Sequence, residues 1–316
     1  MGADSSSNYN QKPNRRPSLL HRSALLALWL LLPAACNRAE VSPFSFVAIG
    51  DMGCACKTQQ EVADRMLHWH KAHRYDTVIV AGDAIYPESN EVRGGNRKLF
   101  WSHFDRYYQP LMERGVRFYV ALGNHDVETE MGAHEIVDRH RFNILRPEGY
   151  YSFSSSQREN GVPLITLYAL NSNTLLTHDG DAGQLEWLSN ALATDQSIWK
   201  IAYFHHPIYT ADGPHVGEPV LKDRLEPILK SGNVRVVVNG HNHFYSRMKP
   251  QNDIYHFTSG GGGRSLYTPR VNDVTDFAVM THHFMYFQIF AHEIRFYAIS
   301  ASGAKIDEGR IVRAKP

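Results

Sequence analysis

The run Tyr75–Tyr86, "YDTVIVAGDAIY", joins an apolar stretch to Gly82-Asp83 and ends on a tyrosine. Its middle, Thr77-Val78-Ile79-Val80-Ala81, is mostly β-branched and has no polar alternation, the pattern of a buried strand. An aspartate directly after such a strand can reach a metal ion, although most aspartates there are turn or cap residues. Tyr86 is the harder residue. It is either a core aromatic or a phenol placed to act beside Asp83.

The same arrangement recurs along the chain. "FSFVAIGD" leads to Asp51, "VRFYVALGNHD" to Asn124 and His125, "WKIAYFHHP" to His205, and "VRVVVNGHNH" to His241 and His243. "LITLYALNS" has the same form without an obvious ligand. Val, Ile, Phe and Tyr dominate these runs, so each is predicted as a strand. Helices are predicted between them. "TQQEVADRMLHWHKAH" sets Val62, Met66 and Trp69 on one face, and "GQLEWLSNALA" sets Leu185, Leu188 and Leu192 on another. "VLKDRLEPILKSG" ends on a glycine suited to a helix terminus. After residue 252, "DIYHFTSG", "MYFQIFAHEIRFYAIS" and "KIDEGRIV" alternate apolar and polar residues and predict antiparallel strands. The expected fold class is α/β, with two sheets packed face to face and flanked by helices. Residues 42–316 form the catalytic domain of this reading and residues 1–41 a leader and linker.

Composition bounds the function. The 33 basic and 32 acidic residues leave a formal charge of +1, so no basic face announces a nucleic-acid partner. The 18 histidines are the outlier and raise the prospect of metal chemistry. At the N-terminus, a polar segment with Arg15-Arg16 precedes the short apolar stretch Ala24–Cys36, the form of an export signal. Cys36 after Leu-Pro-Ala-Ala resembles a lipoprotein cleavage box, Arg15-Arg16 a twin-arginine signal, and the opening Met-Gly-Ala-Asp-Ser-Ser a myristoylation pattern. The expected location is therefore exported: periplasmic, lipid-anchored at the cell surface through Cys36, or secreted. Cys54 and Cys56 remain in the body and read as two small loop residues.

Seven candidate ligands, Asp51, Asp83, Asn124, His125, His205, His241 and His243, stand at the carboxyl ends of five predicted strands, where open α/β sheets build their sites. Each fragment alone is weak, but "DMG", "GD", "GNHD", "HHP" and "GHNH" occur together in one order. The set resembles the calcineurin-like metallophosphoesterase superfamily across nearly the whole mature chain, which implies a four-layer αββα sandwich and two metal ions bridged by Asp83. Most members place a histidine two residues after the first aspartate, where this chain has Gly53. "D-x-G" with "G-D-x-x-Y" resembles the purple acid phosphatase branch in its small, single-domain form. By that resemblance Asp51, Asp83, Tyr86 and His243 hold one ion, and Asp83, Asn124, His205 and His241 the other. A phenolate with two carboxylates suits Fe(III), and the amide–imidazole set suits divalent Fe, Zn or Mn.

The resemblance implies a phosphoester hydrolase, most directly a phosphomonoesterase acting on a small-molecule substrate. A metal-bound hydroxide attacks phosphorus and His125 protonates the leaving alcohol, with Asp126 either orienting His125 or holding the turn. Animal members carry a further histidine before a Gly-Pro. Here Asp212 precedes Gly213-Pro214, so either His215 takes over the role from a shifted position or that function is lost. His206, next to Pro207, is expected to pack or line the rim, Tyr245 to be a core residue, and Ser259–Arg264 to form a tight turn. Substrate loops are expected at 87–110, 127–160 and 209–220. Two alternatives stand beside this reading: a phosphodiesterase on the same fold, and a surface binding protein that kept the fold without turnover.

Overall fold

In the computed structural model the described residues are 42–86, 96–127 and 142–313. The leader with its export and anchor signals lies outside them, as do the stretches 87–95 and 128–141 of the expected substrate loops. In chain order the first eight strands are β1 Phe44–Ile49, β2 Thr77–Ala81, β3 Arg117–Ala121, β4 Tyr151–Ser154, β5 Arg158–Glu159, β6 Val162–Pro163, β7 Ile165–Ala169 and β8 Trp199–Tyr203. The rest are β9 Val236–Asn239, β10 Tyr245–Met248, β11 Tyr255–Ser259, β12 Thr275–Val279, β13 His283–Ile289, β14 Glu293–Ser300 and β15 Lys305–Val312.

Two mixed sheets result. The first runs β15-β14-β13-β1-β2-β3 and the second β12-β10-β11-β9-β8-β7-β4, with β5-β6 a separate ribbon. β1, β2 and β3 are mutually parallel, and so are β7, β8, β9 and β11. The long C-terminal strands add antiparallel to the free edge of β1.

Period-2 alternation explains how the second sheet is covered on both sides. In β8, Ile201 and Tyr203 join the main core shared with the first sheet, which includes Ile49 and Val80. Between and after them, Ala202 and Phe204 point into a second core. In β9, Val236 and Val238 take the first side and Val237 the other. The second core is closed by the helices Ala182–Thr194 and Pro219–Ser231 through Leu188, Leu192, Leu221, Leu225 and Leu229. The helix Lys57–Ala72 covers the first sheet with Val62, Ala63 and Met66. This is the expected two-sheet, helix-flanked class.

Several local expectations are corrected. The tail is not wholly antiparallel, because β11 lies parallel to β9 on one edge and antiparallel to β10 on the other. Part of the 87–110 loop is helical: Asn96–Phe100, a π turn Trp101–Asp105 and Arg106–Met112 run on from one another. Phe100, Phe104 and Tyr108, four apart, bury one face of it. Gly232 ends its helix at φ −78, so left-handed freedom is not its reason; a Cβ there would lie 2.6 Å from the Leu192 side chain. Asn233 takes the positive φ instead. Cys54 and Cys56 are joined by a disulfide, with Cα atoms 5.2 Å apart, since Ala55 at φ 52 turns the chain back between them.

Candidate metal centre

All five parallel strands that precede the ligand motifs end at one edge, where the two sheets meet. Asp51, Asp83 and Asn124 follow β1, β2 and β3 of the first sheet. His205 follows β8, and His241 and His243 follow β9, of the second. Asp51, Asp83 and His241 have φ of 58, 53 and 68, a left-handed conformation that the turn after each strand imposes. Gly82, at φ 83, allows close approach: a Cβ on it would stand 2.3 Å from the His205 ring.

Tyr86 is buried with its hydroxyl in this cluster. The hydroxyl donates to Asp51 Oδ1 at 3.0 Å and lies 3.2 Å from His243 Nε2, while His243 Nε2 is 3.3 Å from Asp51 Oδ1. The structure also shows why position 53 carries no side chain. A Cβ on Gly53 would stand 2.0 Å from the Ala84 carbonyl oxygen, and the Gly53 carbonyl accepts the Tyr86 amide at 3.0 Å. The loop that brings Tyr86 in is packed where another residue's side chain would begin.

A second group radiates from His205 Nε2. Asn124 Oδ1 is 3.0 Å away, His241 Nδ1 3.2 Å and Asp83 Oδ2 3.4 Å. The far nitrogens of two rings are fixed by backbone carbonyls, His205 Nδ1 on Ala81 at 3.0 Å and His243 Nδ1 on Ser265 at 2.8 Å. A carbonyl only accepts, so both rings carry Nδ1–H and turn Nε2 inward. Asp83 lies between the groups; its Oδ1 accepts the His125 amide at 3.0 Å. One ligand atom each from Asp51, Asp83 and His205 falls within 4.8 Å of the others.

Burial and the facing carboxylates and imidazoles set the electrostatics of the site. Burial, then the carboxylates of Asp51 and Asp83, push the Tyr86 phenol well above the ordinary range. Burial alone would lower His205, but Asp83 outweighs it and raises the imidazole to about 9. Burial would likewise raise Asp83, and His205 outweighs it, holding the carboxyl far below the usual range. Burial, then the neighbouring rings of His205 and His206, lowers His241 to about 2. The donor set fits metal ions. Edges of 3.0–3.4 Å between donor atoms suit ligands about 2.1 Å from a shared centre.

The remaining predicted residues are placed as follows. His125 is half-buried, its ring 4.6 Å from that of Tyr86. Both oxygens of buried Asp126 are taken by backbone amides, Oδ1 by Ile85 and Oδ2 by Gly123 and Ala84. Asp126 thus clamps the Asp83–Tyr86 loop to the Gly123–Asn124 turn. The His215 ring centre lies 3.9 Å from that of His241, tilted by 37°, whereas Asp212 Oδ1 accepts from Asn272 at 2.8 Å. Tyr245 is buried and donates to Asp307. Sequence reasoning missed two features of the rim. Tyr267 lies flat against His243 at 4.2 Å, and the Arg264 guanidinium sits 4.7 Å from the Tyr86 ring centre. His206, expected to pack or line the rim, packs: only 7% of it is exposed.

Known proteins resemble this chain in sequence and in fold. The chain is 24% identical to human (Homo sapiens) tartrate-resistant acid phosphatase type 5, over 93% of this chain and 99% of that protein. It is 26% identical to purple acid phosphatase 22 of Arabidopsis thaliana, over 70% of this chain and 50% of that one, so it spans about half of the plant protein. Among solved structures it superposes on GAP50, the anchor in the inner membrane complex of Plasmodium, with a TM-score of 0.75 at 18% identity, covering 87% of this chain and 90% of that one. For purple acid phosphatase PPD1 of yellow lupin (Lupinus luteus) seeds the TM-score is 0.69 at 18% identity, covering 87% and 54%. The family model for calcineurin-like phosphoesterases matches residues 44–245, a stretch that contains every candidate ligand. The chain belongs to the calcineurin-like phosphoesterase family, and its relatives are of the purple acid phosphatase type.

Proposed function

We propose that this metallophosphoesterase is a phosphomonoesterase with two metal ions, Fe(III) on Asp51, Asp83, Tyr86 and His243, and divalent Fe, Zn or Mn on Asp83, Asn124, His205 and His241. The observation that carries the reading is the Tyr86 hydroxyl, seated between Asp51 and His243 while the Ala84 carbonyl fills the space beside Gly53. A phenolate with two carboxylates is a hard, anionic set suited to a trivalent ion. When bound, such a pair of ions activates water for attack on phosphorus and neutralises the phosphoryl oxygens.

The chain's own residues supply the rest. His125, on the turn that presents Asn124, delivers the proton to the departing alkoxide. His215, tilted against His241, offers a ring N–H to the phosphoryl group. Asp126 serves as a positioning residue, since it holds the backbone of both the Asp83 and Asn124 loops. Arg264 adds positive charge where an anionic substrate arrives. The leader places this activity after export, with Cys36 as the candidate anchor; partitioning of the native chain into detergent reports whether it is lipid-linked.

Metal analysis of the purified chain, with rates on an aryl phosphate monoester and a bis-aryl diester across pH, tests the proposal. It predicts two ions per chain, one of them iron, and faster turnover of the monoester. Preference for the diester would make the enzyme a phosphodiesterase. Two bound ions without hydrolysis of either would leave a binding protein.

A further inference from the structure

His206 lies outside the ligand set carried by the resemblance, yet it is built into the site. Its backbone N–H donates to Ser172 Oγ at 3.1 Å, and its Nδ1 lies 2.9 Å from the same hydroxyl. Ser172 is fully buried at the start of the short helix Ser172–Leu175, so this double contact locks the ring. With Nδ1 engaged, Nε2 is the nitrogen left for another partner. The ring stands 5.0 Å from that of His205 and 4.5 Å from that of His241. One ligand atom from each of these three histidines lies within 4.8 Å of the other two. A histidine that merely filled this space would carry a desolvation cost that an apolar residue avoids.

We propose that His206 is a third imidazole ligand of the Asn124 centre, oriented by Ser172. That ion then has the Asp83 carboxylate, the Asn124 amide oxygen and the imidazoles of His205, His206 and His241. The inference rests on the two-metal reading above and adds a prediction about which ion is held. Three imidazoles favour zinc or ferrous iron over manganese, since imidazole suits the former and oxygen donors the latter.

Cobalt(II) is the probe. The full chain is loaded with cobalt, and the strongly shifted imidazole N–H proton signals are recorded alongside the affinity for each ion. His206→Ala is expected to remove one shifted imidazole signal and weaken the second cobalt ion about 10- to 100-fold, the range seen when a site's close support is lost, while the first ion stays tight. Ser172→Ala is expected to keep the number of ligands and move the resonance that His206→Ala abolishes. His206→Gln supplies the same reading if the alanine variant does not fold. Two cobalt ions held with unchanged affinity and an unchanged set of shifted imidazole signals in the His206 variant would overturn the assignment. A wild-type chain that takes up fewer than two ions would overturn the two-metal reading itself, and this inference with it.

Discussion

The two donor groups at the edge of the sheets differ in charge and in access. Around Tyr86 the donors are two carboxylates, a phenol and one imidazole, and Asp51, Tyr86 and His243 are each at most 5% exposed. Around His205 the donors other than Asp83 are an amide and imidazoles, and both Asn124 and His241 are half-open to solvent. One half is closed to solvent and the other partly open, and in the proposed function the first takes the trivalent ion and the second the divalent one. Asp83 is their common member, and the two halves come from different loops fastened by different backbone contacts.

The largest expected effect removes that common member. Asp83→Asn should lower kcat/KM at least a thousandfold, about 4 kcal/mol, and metal analysis should show both halves depleted. Loss of one ion with the other fully retained would show that the halves do not depend on a shared carboxylate.

A smaller effect tests the sealed half alone. Gly53→Ala places a methyl group on the Ala84 carbonyl, and overpacking of that kind costs about 3 kcal/mol. Thermal unfolding should show the loss, and the Tyr86 loop should release its ion before the His205 half does. An alanine tolerated with unchanged melting and metal content would mean that Gly53 does not exclude a side chain.

The third test separates acid loss of the fold from acid loss of the ligands. His256, on β11, is fully buried, neither ring nitrogen has a hydrogen-bond partner among the described residues, and burial lowers its pKa to about 3. The unfolded chain takes up this proton near pH 6.5 and the folded chain does not. Its destabilising effect is therefore absent above pH 6.5 and grows as pH falls toward 3. At pH 5 it amounts to about 2 kcal/mol. Denaturant melts of His256→Leu should lose less stability between pH 7 and 5 than the wild type. Equal losses would place the acid sensitivity elsewhere.

Much of this was legible in the sequence because it is local. Apolar runs ending in Gly, Asn or Asp locate the strands, and the order of their terminal residues assembles the ligand set. The Gly53–Tyr86 pairing was visible as two departures from a pattern, though its steric cause, the Ala84 carbonyl, is a contact between loops. What stayed hidden depends on partners distant in the chain. β10 is only four residues long and includes Arg247, so it shows little of a strand until β11 and β12 flank it. The parallel pairing of β11 with β9 is likewise a matter of neighbours, not of alternation. For His206 the sequence left packing and a rim position open; its contact with Ser172, 34 residues earlier, goes with packing. The disulfide depends on the backbone turn at Ala55, which neither cysteine announces.

The central claim is that Tyr86 is an iron ligand in place of the histidine absent at position 53. Visible spectroscopy of the purified, iron-loaded chain beside Tyr86→Phe tests it most directly. The account predicts a violet phenolate-to-iron charge-transfer band in the wild type and its complete loss in a variant that still folds. A wild type that binds iron without such a band, or a band that survives in Tyr86→Phe, would contradict it.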